Sequence, residues 1–196
     1  IILMRMKHTH TLQHYLITDP QYYTNDIKQF ESILRLTLKN KQVDMACFRD
    51  KISSNYEILA TIFVTICREL NIKHILLNEN LALATQLQCG IHLTSTQFDK
   101  IKEAKKKGLY TVVSCHSHEE IQKAQQAGAN AVTYSPIFQT PNKGAPKGIE
   151  ALKEALKQFD IPIIALGGII HAQQVQQIEK TKAYGFASIR YFLEVN

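Results

Sequence analysis

Three neighbouring polar residues, Thr140, Asn142 and Lys143, place a hydroxyl, an amide and an ammonium within four positions of the chain. Glycines and prolines follow them, and a helix is predicted to begin near Ile149. A phosphate accepts hydrogen bonds from all three groups and is attracted by the lysine, so a phosphate-binding loop is one interpretation. An ordinary solvated connection between a strand and a helix is the other, and the loop alone does not decide between them.

A second chemical candidate is His116, which follows the predicted strand from Tyr110 to Ser114. Histidine donates or accepts a proton near neutral pH, so proton transfer by His116, with Ser114 beside it, is one hypothesis and a structural role is the other. His92 ranks below His116, because it faces the same rim only if the phase of its strand is favourable. His118 is expected at a helix start and is treated as a bystander.

The elements that would position these groups are eight short apolar runs separated by helical patterns. Most runs are apolar throughout, which is typical of a parallel sheet covered by helices. Eight such units in about 200 residues predict an α/β fold, a single compact (β/α)8 TIM barrel. An open doubly wound sheet is the alternative, but no Gly-x-Gly-x-x-Gly follows the first strand. The predicted strands are 15–19, 44–48, 74–77, 91–93, 110–114, 131–138, 161–166 and 185–189.

Helix boundaries and the chain start are predicted from the same patterns. One helix is expected over 26–40, and another begins after Ser53 or Ser54. Residues 1–13 are expected to be a polar lead-in, and 14–196 the barrel domain. The lead-in region carries no carboxylate or cysteine at ligand spacing, so no metal site is expected at its histidines, His8, His10 and His14. The expected inward positions of the second helix are Ile58, Ile62, Ile66 and Leu70.

Composition narrows the class of protein. With 196 residues and 45% apolar content the chain can bury one sizeable core, and its longest apolar run, 161–170, is too short to span a bilayer. No signal peptide is recognised and the four cysteines form no CxxC pair, so a cytoplasmic protein with reduced thiols is expected. A net charge of +6 favours anionic partners, which could be phosphorylated metabolites or nucleic acid. Nucleic acid is disfavoured because the basic run 102–107 lies in a helical pattern without interleaved aromatics.

In a barrel of this kind the active site lies at the carboxyl ends of the strands. Residues far apart in sequence would then share one rim. The paired glycines Gly167 and Gly168 expose backbone N–H groups, so a phosphate site is predicted near the last two strands. The rim candidates are Asp19, Arg49, Lys51, Asn78, Glu79, Thr94, Gln97, Ser114, His116, 140–143, Gly167, Gly168, Ile189 and Arg190.

Seven short segments, met in order along nearly the whole chain, resemble the thiamine-phosphate synthase and thiazole tautomerase superfamily. Each segment alone is weak evidence for the superfamily, but seven segments in the same order are specific evidence for it. The segments are Tyr15–Asp19, Phe48–Lys51, Asn78 with Leu81–Ala84, Gly90–Leu93, Ser114–Ser117, Ser135–Phe138 with Thr140 and Lys143, and Leu166–Ile169.

The resemblance implies a barrel with two anion sites. The first would hold the phosphate of a thiazole phosphate, with Lys143 nearby. The second, in the synthases, holds the diphosphate of the pyrimidine substrate. A synthase joins the two rings and expels diphosphate with Mg²⁺, whereas a tautomerase only moves a proton on the thiazole. The matching positions are Thr140, Asn142, Gly168, Ile189 and Arg190 for the phosphate, and Arg49, Lys51, Asn78 and Lys143 for the diphosphate.

Departures from the synthase pattern favour the tautomerase as the first hypothesis. Two positions that are acidic in synthases match Glu79 and Gln97 here, and an amide in place of an acid weakens a magnesium site. Thr94 and Ser95 also resemble the tautomerase branch. The first hypothesis is therefore a thiazole tautomerase that uses His116 and needs no cofactor. The alternative is a synthase with Mg²⁺ near Glu79, and a non-catalytic sensor of phosphate ligands is a third. A homo-oligomer is left open.

Overall fold

A computed structural model describes residues 11–193 of the chain. Eight parallel strands are hydrogen-bonded in sequence order, and the last pairs with the first to close a barrel. The predicted (β/α)8 barrel is confirmed. The strands are β1 Gln13–Ile17, β2 Met45–Phe48, β3 His74–Asn78, β4 Gly90–Leu93, β5 Thr111–Cys115, β6 Ala131–Tyr134, β7 Ile163–Leu166 and β8 Gly185–Ser188.

Eight α-helices lie in the described range, of which two follow β1 and one follows each strand from β2 to β7. Several begin at side-chain caps, where Asp26, Asn80 and Ser117 each accept a hydrogen bond from a backbone N–H of the first turn. Single 3₁₀ turns occupy Phe98–Lys100 and Arg190–Leu193. The helices are α1 Pro20–Tyr23, α2 Ile27–Asn40, α3 Tyr56–Glu69, α4 Leu81–Leu87, α5 Ile101–Lys106, α6 His118–Ala127, α7 Gly148–Gln158 and α8 Ala172–Thr181.

The apolar core has two parts, because successive side chains of a strand face opposite sides of the sheet. Side chains such as Leu16, Phe48 and Leu77 pack outward against the helices. The alternate positions fill the inside of the barrel. These inner residues include Tyr15, Met45, Cys47, Leu76, Val112, Ala131 and Ile164. The inside of the barrel is therefore a packed core rather than a channel.

The first strand is shifted from its predicted position. It was expected over 15–19, but β1 ends at Ile17, two residues earlier. The side chain of Asp19 accepts a hydrogen bond from the backbone N–H of Gln21 at 2.9 Å and caps the one-turn helix α1. A capping aspartate followed by Pro20 starts a helix rather than extending a strand.

The predicted inward face of α3 is confirmed in part, and its predicted cap is wrong. Ile66 is buried and Ile62 and Leu70 pack against the core, but Ile58 is 53% exposed. The N-cap position is Asn55 rather than Ser53 or Ser54. The buried face also carries Leu59, Phe63 and Cys67 at four-residue spacing. This helix is apolar on most sides, so its sequence is compatible with more than one buried face, and tertiary packing determines which face is buried.

Some predictions fall at the chain ends. His8, His10 and most of the predicted lead-in, residues 1–13, lie outside the described residues. The backbone N–H of His14 donates to Oδ2 of Asp44 at 2.8 Å, which anchors the start of the barrel. All four cysteines are buried and free, as expected for reduced thiols. Between residues 11 and 193, no helix combines the length and apolarity needed to cross a membrane.

The loops that follow β6 and β7 are packed against each other. The strand β6 ends at Tyr134, before the predicted end at 138, because Pro136 has no N–H for the ladder. The N–H of Ile137 nevertheless donates to the carbonyl oxygen of Leu166 at 2.9 Å. Gly168 has φ +67°, and a Cβ there would overlap the carbonyl oxygen of Gln139. Only glycine fits this close approach of two backbones.

We expect Gly168→Ala to lower the free energy of unfolding by about 3 kcal/mol, because left-handed strain adds to a steric overlap. Gly144 is a matched control, since its φ is +73° and nothing lies within 4 Å of a Cβ built there. Gly144→Ala should cost about 1 kcal/mol, from strain alone. Urea denaturation measures both values, and equal losses would contradict the close approach.

Candidate active site

One cavity of about 460 Å³ opens at the carboxyl ends of the strands, and residues at or beyond the end of every strand contribute to its wall. Most of the predicted site residues meet here. Four rim candidates do not belong to the lining: Asn142, which is exposed in a turn with φ +61°, its neighbour Pro141, Glu79 and Gln97. The predicted residues that line the cavity are Asp19, Arg49, Lys51, Asn78, Thr94, Ser114, His116, Thr140, Lys143, Gly167, Gly168, Ile189 and Arg190.

The floor of the cavity combines an apolar side with a polar side. It is built from the last inward-facing position of each strand. Ile17, Leu166 and Ala187 supply the apolar part, and they come from the adjacent strands β7, β8 and β1. The polar part continues through β3 to β6, with Asn78, His92, Ser114 and Thr133. A ligand that is apolar on one side and polar on the other matches this floor.

The cations at the end of β2 are held by carboxylates. Nη1 of Arg49 lies 3.3 Å from Oδ2 of Asp19, and Nζ of Lys51 lies 2.8 Å from Oε1 of Glu79. The backbone N–H of Arg49 donates to Oγ1 of Thr18 at 2.9 Å. These pairs are partly exposed, so they are weak, and an anionic ligand can compete for the two cations.

The cations that follow β6 and β8 have no such partners. Neither Lys143 nor Arg190 forms an ion pair with any residue between 11 and 193. Oγ of Ser188 donates to the carbonyl oxygen of Ile169 at 2.6 Å, which ties the loop after β7 to the end of β8. Gly168 therefore lies beside Arg190 at a fixed place on the rim. This arrangement is suited to a phosphate.

His116 lies at the rim of the cavity, as predicted, and its side chain is exposed. Its Nδ1 is 3.2 Å from both the carbonyl oxygen and Oγ of Ser135. Its backbone N–H donates to the carboxylate of Glu120. The ring can therefore reach a ligand, while its catalytic role stays a prediction. His118 begins α6 and packs near Tyr134 and Phe159, away from the cavity wall.

The sequence ranked His92 too low, because its strand phase is favourable. Tyr15 Oη lies 2.7 Å from His92 Nδ1, and His92 Nε2 lies 2.9 Å from Ser114 Oγ. Burial, with a smaller effect of the Arg49 charge, lowers the pKa of His92 to about 4, so the ring is neutral at pH 7. One sequence signal could have indicated that His92 faces the inside of the barrel. Polar residues stand at inward positions of otherwise apolar strands, and they are Tyr15, His92, Ser114 and Thr133.

The carboxylates near the cavity offer little to a metal ion by themselves. Within residues 11–193, no three histidine, cysteine or acidic side chains are grouped closely enough to hold one. Oε1 of Gln97 accepts a hydrogen bond from the backbone N–H of Thr94 at 3.1 Å, while its Nε2 donates to the carbonyl oxygen of Glu79 at 3.2 Å. Mg²⁺ often takes one or two protein carboxylates and the rest of its ligands from substrate phosphates. Glu79 therefore fits only a magnesium site in which substrate phosphates supply most of the other ligands.

A family model described as thiamine monophosphate synthase matches residues 14–192, which is nearly the whole chain. The chain belongs to this family. The resemblance inferred from seven short segments is therefore confirmed. Members of this family act in thiamine biosynthesis.

Individual relatives agree with the family model. A putative thiamine-phosphate synthase 2 of Aquifex aeolicus is 32% identical over 188 residues, which cover 92% of this chain and 97% of that protein. A thiamine-phosphate synthase of Syntrophomonas wolfei is 30% identical over 185 residues, covering 89% and 85%. The structure of a thiamine phosphate pyrophosphorylase from Pyrococcus furiosus has a TM-score of 0.77 at 22% identity, covering 92% and 86%, and shows the shared fold. These names favour the synthase alternative over the tautomerase hypothesis.

The neutral state of His92 predicts a specific loss of stability in acid. Between about pH 6.5 and pH 4 the unfolded chain binds a proton at this histidine and the folded chain does not, so stability falls as the pH falls. The slope from one such group is about 1 kcal/mol per pH unit.

His92→Gln removes this proton-binding group and keeps hydrogen-bonding capacity. We expect its stability to change less steeply, by about 1 kcal/mol per unit, than that of the unaltered protein between pH 6.5 and pH 4.5. His14 and His74 also have pKa values lowered by burial, but they contribute equally to both proteins. Guanidinium denaturation at several pH values measures the slopes, and identical slopes would contradict a buried neutral His92.

Proposed function

We propose that this chain is a thiamine-phosphate synthase, which joins hydroxymethylpyrimidine diphosphate to thiazole phosphate and releases diphosphate. The observation that carries this proposal is the pair of cation groups on one cavity. Arg49 and Lys51 follow β2, while Lys143 and Arg190 follow β6 and β8. In a closed ring of eight strands β6 is opposite β2, so Lys143 stands across the cavity from Arg49 and Lys51, while Arg190, after β8, lies two strands from either side. Two anionic substrates need two such groups, and a tautomerase needs one.

The β2 group is suited to the leaving diphosphate. Negative charge grows on the diphosphate as its bond to the pyrimidine methylene carbon breaks. Fixed cations beside that charge stabilise the transition state more than the ground state. Arg49 and Lys51 are paired with Asp19 and Glu79 before a substrate arrives, and an incoming diphosphate would replace these partly exposed pairs.

The β6–β8 group would hold the thiazole phosphate. Arg190 and Lys143 supply charge, Thr140 a hydroxyl, and Gly168 an exposed backbone. Asn142 stays a prediction, because it lies outside the cavity lining. Glu79, with oxygen atoms of the diphosphate, would hold Mg²⁺. When bound, the ion would neutralise the leaving group.

Thiazole tautomerase is the second candidate function, and a different observation favours it. Glu79 is paired with Lys51, and an amide, Gln97, stands where a second acid would strengthen a magnesium site. His116 and Ser114 meanwhile line the same cavity, and a proton transfer between ring positions needs no more than such groups. Lys143 and Arg190 alone would then bind the single phosphate.

Supplying substrates in turn separates the two functions. The purified protein is given the thiazole tautomer alone, and then thiazole phosphate with pyrimidine diphosphate, with and without Mg²⁺. Magnesium-dependent thiamine phosphate supports the proposal. Tautomerisation without coupling, lost in His116→Ala, would replace it with the second candidate. Tight binding without either reaction would indicate a sensor of phosphate ligands.

The two cation groups predict opposite effects of two substitutions. Arg49→Gln should raise KM for pyrimidine diphosphate about 10- to 100-fold and leave KM for thiazole phosphate nearly unchanged, because one charged hydrogen-bonding group is lost. Arg190→Gln should do the reverse. Steady-state kinetics with each substrate varied measures both effects.

Arg35→Gln is the control for this pair of variants, since Arg35 pairs with Glu69 between α2 and α3 and does not line the cavity. It should leave both KM values unchanged. The assignment of two separate anion sites would be wrong if Arg49→Gln and Arg190→Gln affected the same substrate.

A further inference from the structure

The loop that follows β7 is held through its carbonyl groups. Each of the four consecutive carbonyl oxygens of 166–169 accepts a hydrogen bond from another part of the chain. The donors, in that order, are the backbone N–H of Ile137 at 2.9 Å, the backbone N–H of Phe138 at 3.0 Å, Nε2 of Gln174 at 2.8 Å and Oγ of Ser188 at 2.6 Å. The C=O and N–H of one trans peptide unit point in opposite directions, so a bond to the carbonyl also fixes the direction of the N–H.

Two N–H groups of this loop remain available to a ligand. Those of Gly168 and Ile169 donate to no acceptor between residues 11 and 193, and both residues line the cavity. Successive backbone N–H groups without acceptors can bind an anion. The N–H of Ile169 belongs to the same peptide unit as the carbonyl of Gly168, which is the carbonyl that Gln174 holds.

Gln174 makes three hydrogen bonds to this one loop. It is the third residue of α8, and its Oε1 accepts from the backbone N–H of Ile170 at 2.7 Å and of His171 at 2.9 Å. A glutamine at this position that accepts from N–H groups before the helix is a common cap and stabilises the helix start. The donation from Nε2 to Gly168 has no such role, because Gly168 lies outside the helix.

We propose that Gln174 is a positioning residue for the phosphate site. It lies outside the cavity lining and acts through the carbonyl of Gly168, which it holds so that the N–H of Ile169 stays available to a phosphate. Without this bond the peptide unit would be able to turn its carbonyl oxygen toward the phosphate, which repels it. Rotation is easiest beside a glycine. The inference rests on the proposed function for the phosphate-bearing ligand, but it is independent of which reaction follows.

Two substitutions at Gln174 test this role. Gln174→Glu can still accept both N–H bonds but cannot donate to Gly168, and Gln174→Met has a similar length without a polar group or a charge. We expect both variants to bind thiazole phosphate about tenfold more weakly, because one hydrogen-bonded peptide is released. Both should bind the unphosphorylated thiazole alcohol within about twofold of the unaltered protein. Isothermal titration calorimetry measures each affinity.

A thermal unfolding measurement separates positioning from helix capping. Because Gln174→Glu keeps the cap, its Tm should match that of the unaltered protein, and its loss of phosphate binding then has no origin in a weakened helix.

Gln125→Glu is the matched control. Oε1 of Gln125 also accepts from two backbone N–H groups, of Asp160 at 3.0 Å and Ile161 at 2.9 Å, but it does so before β7 and outside the cavity lining. This variant adds the same charge to the protein and should change neither affinity.

The outcomes are distinct. A weaker affinity for thiazole phosphate in Gln174→Glu alone would be repulsion by the new charge, and a weaker affinity in Gln174→Met alone would mean that the cap holds the loop. Either result overturns the role of the Gly168 bond. Unchanged affinities in both variants, or equal losses for thiazole phosphate and thiazole alcohol, also overturn it.

An assay of thiamine phosphate formation separates this inference from the proposed function. A phosphate-specific loss in both variants of a protein that forms no thiamine phosphate overturns the proposed function and keeps the role of Gln174. Formation of thiamine phosphate with the same KM for thiazole phosphate in all the proteins does the reverse. Failure of the unaltered protein to bind thiazole phosphate overturns both.

Discussion

Closure of the sheet is the constraint on which the rest of this structure depends. Once β8 pairs with β1, every second side chain of every strand must enter one narrow interior. Lower positions fill that interior with apolar side chains such as Met45, Leu76 and Ile164. The highest inward position of each strand has no layer above it. Polar side chains are tolerated there because a ligand or a neighbouring side chain can satisfy them.

The number and order of elements followed from the sequence, because continuous apolar runs and helical spacing are local signals. The rim was predicted for the same reason, since parallel strands share one carboxyl end. The phase of each strand was not predictable, and it decides whether His92 faces the ligand or a helix. The inward face of α3 also needed tertiary packing, because Ile58 and Leu59 are equally apolar. The distance of Asn142 from the cavity depends on a turn whose conformation the sequence does not define.

The two cation groups of the cavity differ in their state before a ligand binds. Arg49 and Lys51 already have carboxylate partners, so an incoming anion must replace an existing interaction. Lys143 and Arg190 have no ion-pair partner in the described part of the chain, so an incoming anion gains the full interaction. In the proposed synthase the β6–β8 side would therefore be the better anchor for the first anion, and the anion at Arg49 and Lys51 would bind second.

The packing of the β6 and β7 loops has a consequence for how this barrel can be altered. The backbone of 136–139 lies against Gly167 and Gly168 with no room for a side chain between them. An insertion in either loop would separate the two backbones and move Thr140 away from Gly168. Natural or engineered changes of specificity at this end of the barrel must therefore exchange both loops together. The two loops therefore have to change as one unit, although Gln139 and Gly167 are 28 positions apart in sequence.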